Sequence, residues 1–280
     1  MALRHLCENI AYSHYIDAAP WLSELMYEVI VQKFLIAGMP RSGSTLVATT
    51  LAQHMNIVIH GELFHPVTSE RAGSHSIKKS EGKIRFFDPK IENYIDFLKN
   101  EIWNRKFADK AAVGFKLFGE YVSSYDDREL FSTIIENFPD LKFIIIWREN
   151  LLDCLISRKV AESSGIWMKY SNDISKDNLA RKISIDPDFA IKFFENYSQI
   201  KFFLANISRN TKCFILDYED FVSRFDTKSD EMFEFLGVKP APVSMAIKKQ
   251  ASHRQSDYVE NWNALRARFN NTPFSSYFRD

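Results

Sequence analysis

Arg41, Ser42, Gly43, Ser44 and Thr45 place a guanidinium, three hydroxyls and a glycine in consecutive positions, a set of groups that grips an oxyanion. Gly38 and Gly43 stand at the spacing of the phosphate-binding pattern G-x-x-x-x-G-K-[ST], and Thr45 takes its hydroxyl position. The lysine position is Ser44. A nucleoside triphosphatase uses that lysine to reach the outer phosphates, so its absence counts against ATP or GTP hydrolysis. Arg41 supplies positive charge from inside the loop instead, as a fork able to hold an anion bidentately.

A second group of candidates follows Trp147. Arg148 stands directly after an apolar run, and Ser157 lies about two turns into the segment behind it. Arginine at the carboxyl end of a buried strand sits where open α/β sheets bind ligands. Glu62, in Gly61-Glu62-Leu63-Phe64, is the candidate general base, because a carboxylate within hydrogen-bond reach can take a hydroxyl proton. His60 and His65 flank it as alternative bases. Lys116 faces either the same reaction or solvent, and Lys249 and Arg254 offer charge near the C-terminus.

These side chains need a rigid frame. Residues 31–38 read as a buried strand and 46–54 as a helix, so the loop between them sits at a helix N-terminus. Free N–H groups and the helix dipole favour an anion there. Further strands are expected over 56–60, 113–118, 141–147 and 213–217. The third of these is almost continuously apolar, as a parallel strand buried on both faces must be. Helical spacing marks 91–103, 128–138, 151–162, 186–207 and 229–236. The aromatic stripe Phe189, Phe193, Phe194 and Tyr197 reads as core. Alternating strands and helices predict an α/β fold, a P-loop-type parallel sheet with helices on both faces. With no repeat and no dividing linker, residues 1–280 read as a single domain. Residues 1–30 form an N-terminal arm, and 67–90, rich in Ser, Gly and Lys, a loop long enough to be functional.

Composition narrows the partners. Lys plus Arg equals Asp plus Glu at 36 each, which argues against a nucleic-acid backbone. Cys7, Cys154 and Cys213 match no metal-ligand spacing, and three unpaired thiols suggest a cytoplasmic protein without a metal site. No basic-then-apolar order marks a signal peptide, and no stretch reads as a membrane span.

Strand, Arg-Ser-Gly-Ser-Thr loop, helix, then strand, Arg148, helix and Ser157 resembles the sulfotransferases that use 3′-phosphoadenosine 5′-phosphosulfate (PAPS). Within that family the chain is most similar to bacterial carbohydrate sulfotransferases of the trehalose- and nodulation-factor-modifying kind. Gly61-Glu62-Leu63-Phe64, Asp217-Tyr218-Glu219-Asp220-Phe221, Phe235-Leu236-Gly237-Val238 and the stretch from Lys248-Lys249-Gln250 to Asn261-Trp262 carry this resemblance. It implies that Arg41, Ser42, Gly43, Ser44 and Thr45 hold the 5′-phosphosulfate, while Arg148 and Ser157 hold the 3′-phosphate. It also implies that residues 246–280 lie near the nucleotide and that 67–90 shape the acceptor site. The acceptor would be a hydroxyl of a carbohydrate or glycolipid, with Glu62 as base and Arg41 stabilising charge. Arg148 and Ser157 are nine residues apart where many members have eight, so neighbouring Arg158 is a further candidate for that phosphate. The residues alone leave two alternatives: a P-loop kinase with arginine for lysine, and a non-catalytic nucleotide-binding protein of the same fold.

Overall fold

The computed structural model describes residues 31–64, 93–118, 127–170, 182–249 and 253–279. The N-terminal arm, the 67–90 loop and His65 lie outside the described residues. In chain order the elements are β1 (Gln32–Gly38), α1 (Ser44–Leu51), β2 (Ile57–Glu62), α2 (Tyr94–Phe97), β3 (Ala112–Phe118), α3 (Asp127–Asn137), β4 (Lys142–Trp147) and α4 (Leu151–Ser164). There follow α5 (Pro187–Asn210), β5 (Lys212–Asp217), α6 (Tyr218–Ser223), α7 (Phe225–Leu236), α8 (Gln255–Tyr258) and α9 (Trp262–Phe269).

All five strands form one parallel sheet in the order β2-β3-β1-β4-β5. Both faces are covered, which is why the strands are apolar runs rather than alternations. Leu35, Ala37, Val113, Phe115 and Phe143 pack on one side with Leu130, Ile134, Leu204 and Ile207 from α3 and α5. Phe34, Ile36, Ile144 and Ile146 pack on the other with Leu46, Val47, Leu51, Met232 and Phe233 from α1 and α7. A third cluster joins α4, α5 and α9 through Leu155, Phe194, Leu265 and Phe269.

Sequence signals fix most helix ends. Asn150 caps α4 by accepting from the Asp153 N–H at 3.0 Å, and Gly165 closes it in the left-handed conformation at φ 71°. Asp186 caps α5 at 2.7 Å ahead of Pro187. The expected helix over 91–103 is different: α2 passes into a π turn at Leu98–Ile102, where the Trp103 N–H donates to the Leu98 carbonyl at 2.7 Å. Over so short a stretch, apolar spacing cannot separate an i→i+4 turn from an i→i+5 turn.

The order of strands sets the position of the site. The connection from β1 leads to one side of the sheet and that from β4 to the other, so the crevice between their carboxyl ends is the topological switch point. The 39–43 loop follows β1 and Arg148 follows β4. Both candidate groups therefore meet at the same crevice.

Candidate functional site

The loop after β1 is a strained turn. Arg41 has φ 68°, left-handed for a non-glycine residue, and Gly43 has φ 99° at the N-cap of α1. Ser42 is wholly buried, its hydroxyl donating to the Met39 carbonyl at 2.7 Å and its N–H to the same oxygen at 3.2 Å. Its groups shape the turn from within. Tyr197 on α5 braces the loop from outside, its hydroxyl donating to the Pro40 carbonyl at 3.1 Å. Phe193, Phe194 and Tyr197 are core as expected, while Phe189 is exposed. No side chain caps the first turn of α1, and Gly43, Ser44, Thr45 and Leu46 line a cavity with Arg41.

The Arg41 fork reaches across the crevice to α4. Its Nε and Nη2 donate to the Ser157 Oγ at 3.0 and 2.9 Å, and its Nη1 donates to the Trp167 carbonyl at 2.7 Å. Two residues expected at opposite ends of one ligand are thus in direct contact. Arg158 points elsewhere and pairs with Glu162 at 2.9 Å.

Arg148 is buried and lines the same cavity. It donates from Nη2 to Asp153 at 2.6 Å and from Nε to Glu219 at 3.3 Å, and its guanidinium lies over the Tyr218 ring at 4.7 Å. Burial works against its charge, but Cys154, Asp153, Tyr218 and Glu219 around it together outweigh burial and its pKa rises. The neighbouring Cys154 thiol contributes no charge near neutral pH, because burial pushes it up to about 12. Asp153 is itself held by Gln255 at 2.8 Å and Lys249 at 3.4 Å. Burial raises its pKa, yet Arg148, Gln255 and Lys249 together leave it lowered.

Tyr218 joins Arg148 to the loop. A Cβ at Gly43 would come within 2.4 Å of the Tyr218 ring, so the ring touches the loop at its edge and carries Arg148 on its face. Lys249 joins Lys169 and Lys248 on the cavity rim. Arg254 does not; it pairs with Asp257 at 3.5 Å.

Glu62 stands at the end of β2, two strands from the loop, and is connected to it by Lys116. The lysine Nζ donates to the Glu62 Oε1 at 2.8 Å and to the Thr45 Oγ1 at 3.1 Å. Lys116 is only 4% exposed, which replaces its solvated reading by that of a paired interior cation. His60 is also buried, against the Phe107 ring at 5.3 Å, and its Nε2 has no hydrogen-bond partner among the described residues. Burial lowers its pKa from 6.5 to about 4. Among the described residues no group of His, Cys, Asp or Glu could hold a metal ion, and no helix is long and apolar enough to cross a membrane.

Sequence reasoning did not single out Tyr218, Trp167, Lys169 or Asp153 for the site. Tyr218 had a signal, since it directly follows the carboxyl end of an apolar strand, as Arg148 does. Trp167 and Lys169 follow a helix and carry no local pattern; only the fold brings them to the crevice.

A glycine turn at the switch point of a parallel sheet opens on a cavity that Arg41 and Arg148 both line, a site suited to an anion. The chain belongs to the sulfotransferase family, whose model matches residues 33–242, and it is a sulfotransferase. Nodulation protein H of Rhizobium tropici is 21% identical over 249 residues, covering 88% of this chain and 93% of that protein. Nodulation protein H of Rhizobium meliloti (strain 1021) is 22% identical over 251 residues, covering 88% and 95%. The crystal structure of a sulfotransferase from Alicyclobacillus acidocaldarius aligns with a TM-score of 0.46 at 14% identity, covering 89% of this chain and 99% of that one.

Proposed function

We propose that the sulfuryl donor is PAPS and that the acceptor is a hydroxyl of a carbohydrate or glycolipid. One observation carries the donor: a single cavity is lined both by Arg41 with the α1 N-terminus and by Arg148 with Lys248 and Lys249. Several cationic groups around one cavity suit a nucleotide with anionic groups at both its 3′ and 5′ positions. Arg41, Gly43, Ser44 and Thr45 would hold the 5′ end, with the buried Ser42 keeping the turn in shape. Arg148 and Ser157 would hold the 3′-phosphate, with Lys249 beside them. When bound, PAPS supplies the activated sulfuryl group.

The chain's own residues do the rest. Glu62 accepts the acceptor's hydroxyl proton. Lys116 holds that carboxylate 2.8 Å from its ammonium, fixing where the proton goes. Arg41 and the first N–H groups of α1 meet charge that grows on the phosphate oxygens, and they are already oriented for it. On binding the anion, Arg41 exchanges its bonds to the Ser157 hydroxyl and the Trp167 carbonyl for bonds to the ligand. The resemblance of Gly61-Glu62-Leu63-Phe64 and Asp217-Tyr218-Glu219-Asp220-Phe221 to bacterial carbohydrate sulfotransferases supports an acceptor from carbohydrate chemistry. We also read residues 1–280 as one domain, and the free thiols Cys154 and Cys213 as fitting a cytoplasmic setting.

Calorimetric titration with adenosine 3′,5′-bisphosphate, ATP and AMP tests the donor. Strong preference for the bisphosphate is the expected result, and sulfuryl transfer from PAPS to sugars should then be measurable. Equal or tighter binding of ATP or AMP would remove the 3′-phosphate site and restore the kinase or binding-protein alternative.

A further inference from the structure

We infer that Gln255 is a positioning residue that sets Arg148 for its anion, acting through Asp153. The inference rests on the proposal that Arg148 meets the 3′-phosphate.

Gln255 opens α8 and is only 6% exposed, and it is not among the described residues that line the cavity. A buried amide has to satisfy both of its ends. Its Oε1 accepts from the Arg279 N–H at 3.0 Å. Its Nε2 faces acceptors: the Asp153 Oδ1 at 2.8 Å, the Tyr277 carbonyl at 3.0 Å and, further off, the Asn150 Oδ1 at 3.4 Å. Turning the amide over would set oxygen against those oxygens and N–H against N–H. The Arg279 N–H can only donate, so it selects the orientation in which Gln255 donates to Asp153.

Asp153 passes that restraint on. Its Oδ1 takes the Gln255 bond, while its Oδ2 takes the Arg148 Nη2 at 2.6 Å and the Lys249 ammonium at 3.4 Å. The Asp153 N–H is held by the wholly buried Asn150, whose Nδ2 donates to the same Tyr277 carbonyl at 2.9 Å. With Nη2 on Asp153 and Nε on Glu219, the Nη1 of Arg148 has no partner among the described residues. The two carboxylates thus leave that nitrogen for a ligand.

The C-terminal turn does not need the bond from Gln255 to Asp153 for its own stability. Tyr277 packs on Phe194 at 5.2 Å, and Phe278 packs on Trp262 and Phe269 at 5.5 and 5.2 Å. Asn150 already gives the Tyr277 carbonyl a donor. The Gln255 amide spends a hydrogen on a carboxylate that holds the cavity arginine, and a charge-assisted bond fixes where that carboxylate sits.

The test uses the full chain. Gln255→Met keeps the length of the side chain and removes the amide. Arg279→Pro removes the N–H that orients it, at an exposed residue that follows an extended Phe278 (φ −87°, ψ 94°). Arg279→Ala keeps that N–H and separates it from the side chain. Calorimetry is run with adenosine 3′,5′-bisphosphate and with AMP. Gln255→Met should lose about tenfold in bisphosphate affinity while AMP affinity stays within about twofold. Arg279→Pro should lose about threefold or more for the bisphosphate alone, and Arg279→Ala should match the wild type. A second readout needs no ligand: the Arg148 Nε–H signal in the magnetic resonance spectrum of arginine-labelled protein, identified by its absence in Arg148→Lys. It should move in Gln255→Met and Arg279→Pro and stay in Arg279→Ala. Wild-type bisphosphate affinity in Gln255→Met overturns the inference. So does an equal loss for AMP, which would make Gln255 a general support of the fold. Equal effects of Arg279→Pro and Arg279→Ala overturn the orienting role of the N–H. If Gln255→Met does not fold, the two Arg279 variants decide. If the wild type shows no preference for the bisphosphate over AMP, the donor proposal fails by itself. The Arg148 signal then decides whether Gln255 positions that arginine.

Discussion

Arg148, the residue proposed to meet the 3′-phosphate, is also built into the fold. Its fork is divided between Asp153 and Glu219, and its face rests on Tyr218, so three groups determine where its charge sits. Arg148→Ala should weaken adenosine 3′,5′-bisphosphate binding by roughly 2–4 kcal/mol, measured by calorimetry. Arg148→Lys should restore little, because a point charge cannot serve two carboxylates and a ring together. Glu62 and Lys116 form the other informative pair. Glu62→Gln should leave bisphosphate affinity intact while turnover falls by about two to four orders of magnitude, as for a lost base. Lys116→Met strands a largely buried carboxylate and should cost roughly 1–3 kcal/mol in urea denaturation. Combining it with Glu62→Gln should recover part of that loss, since the two changes share one interaction. Arg41 and Arg148 were marked in the sequence by a glycine turn and by the end of an apolar strand, and Glu62 by the stretch Gly61-Glu62-Leu63-Phe64 behind a short strand. The burial of Lys116 had one sign, a lysine inside a run apolar on both sides, and only the pairing with Glu62 explains it.

At the level of elements, the strands were legible to within a residue or two, because parallel strands covered on both faces leave uninterrupted apolar runs. The loop after β1 was legible from its glycine spacing alone. What no spacing reveals is that α6 supports it: the Tyr218 ring fills the space that a side chain at position 43 would need. Gly43→Ala therefore meets two obstacles, a φ of 99° and a ring 2.4 Å away. The backbone cost is about 1–2 kcal/mol, lowering Tm by a few degrees in a chain of this size. The displaced ring also carries Arg148, so bisphosphate affinity should fall at least about tenfold, more than a loop defect confined to Arg41 would produce. Tyr218→Phe keeps the ring and serves as the control; calorimetry should find its affinity close to wild type. A Gly43→Ala protein that binds the bisphosphate normally would separate the loop from Tyr218 and Arg148.

For the whole molecule, equal numbers of acidic and basic residues concealed the concentration of cations at one crevice. Arg41, Arg148, Lys169, Lys248 and Lys249 come from four segments, and the strand order gathers them. The fold also decides the acid response. His60 lies buried in the interior beside Phe107 with an unpartnered Nε2, so the folded protein refuses a proton until about pH 4. The unfolded chain takes that proton at the ordinary 6.5. Between these values the unfolded state binds more protons, so stability is lost as pH falls from 6.5 towards 4, by about 3 kcal/mol at full extent. Asp153 adds a loss of the same sign in a separate window. Its lowered pKa means its contribution is present above the ordinary carboxylate value and disappears below it. The slope between pH 6.5 and 4.5 is therefore the signature of His60, and His60→Leu isolates it. Urea midpoints at pH 7.0 and 4.5 should differ strongly in the wild type and by much less in His60→Leu, while Asp153→Asn should leave that interval unchanged. Equal losses in the wild type and His60→Leu would place the acid-labile group elsewhere in the fold.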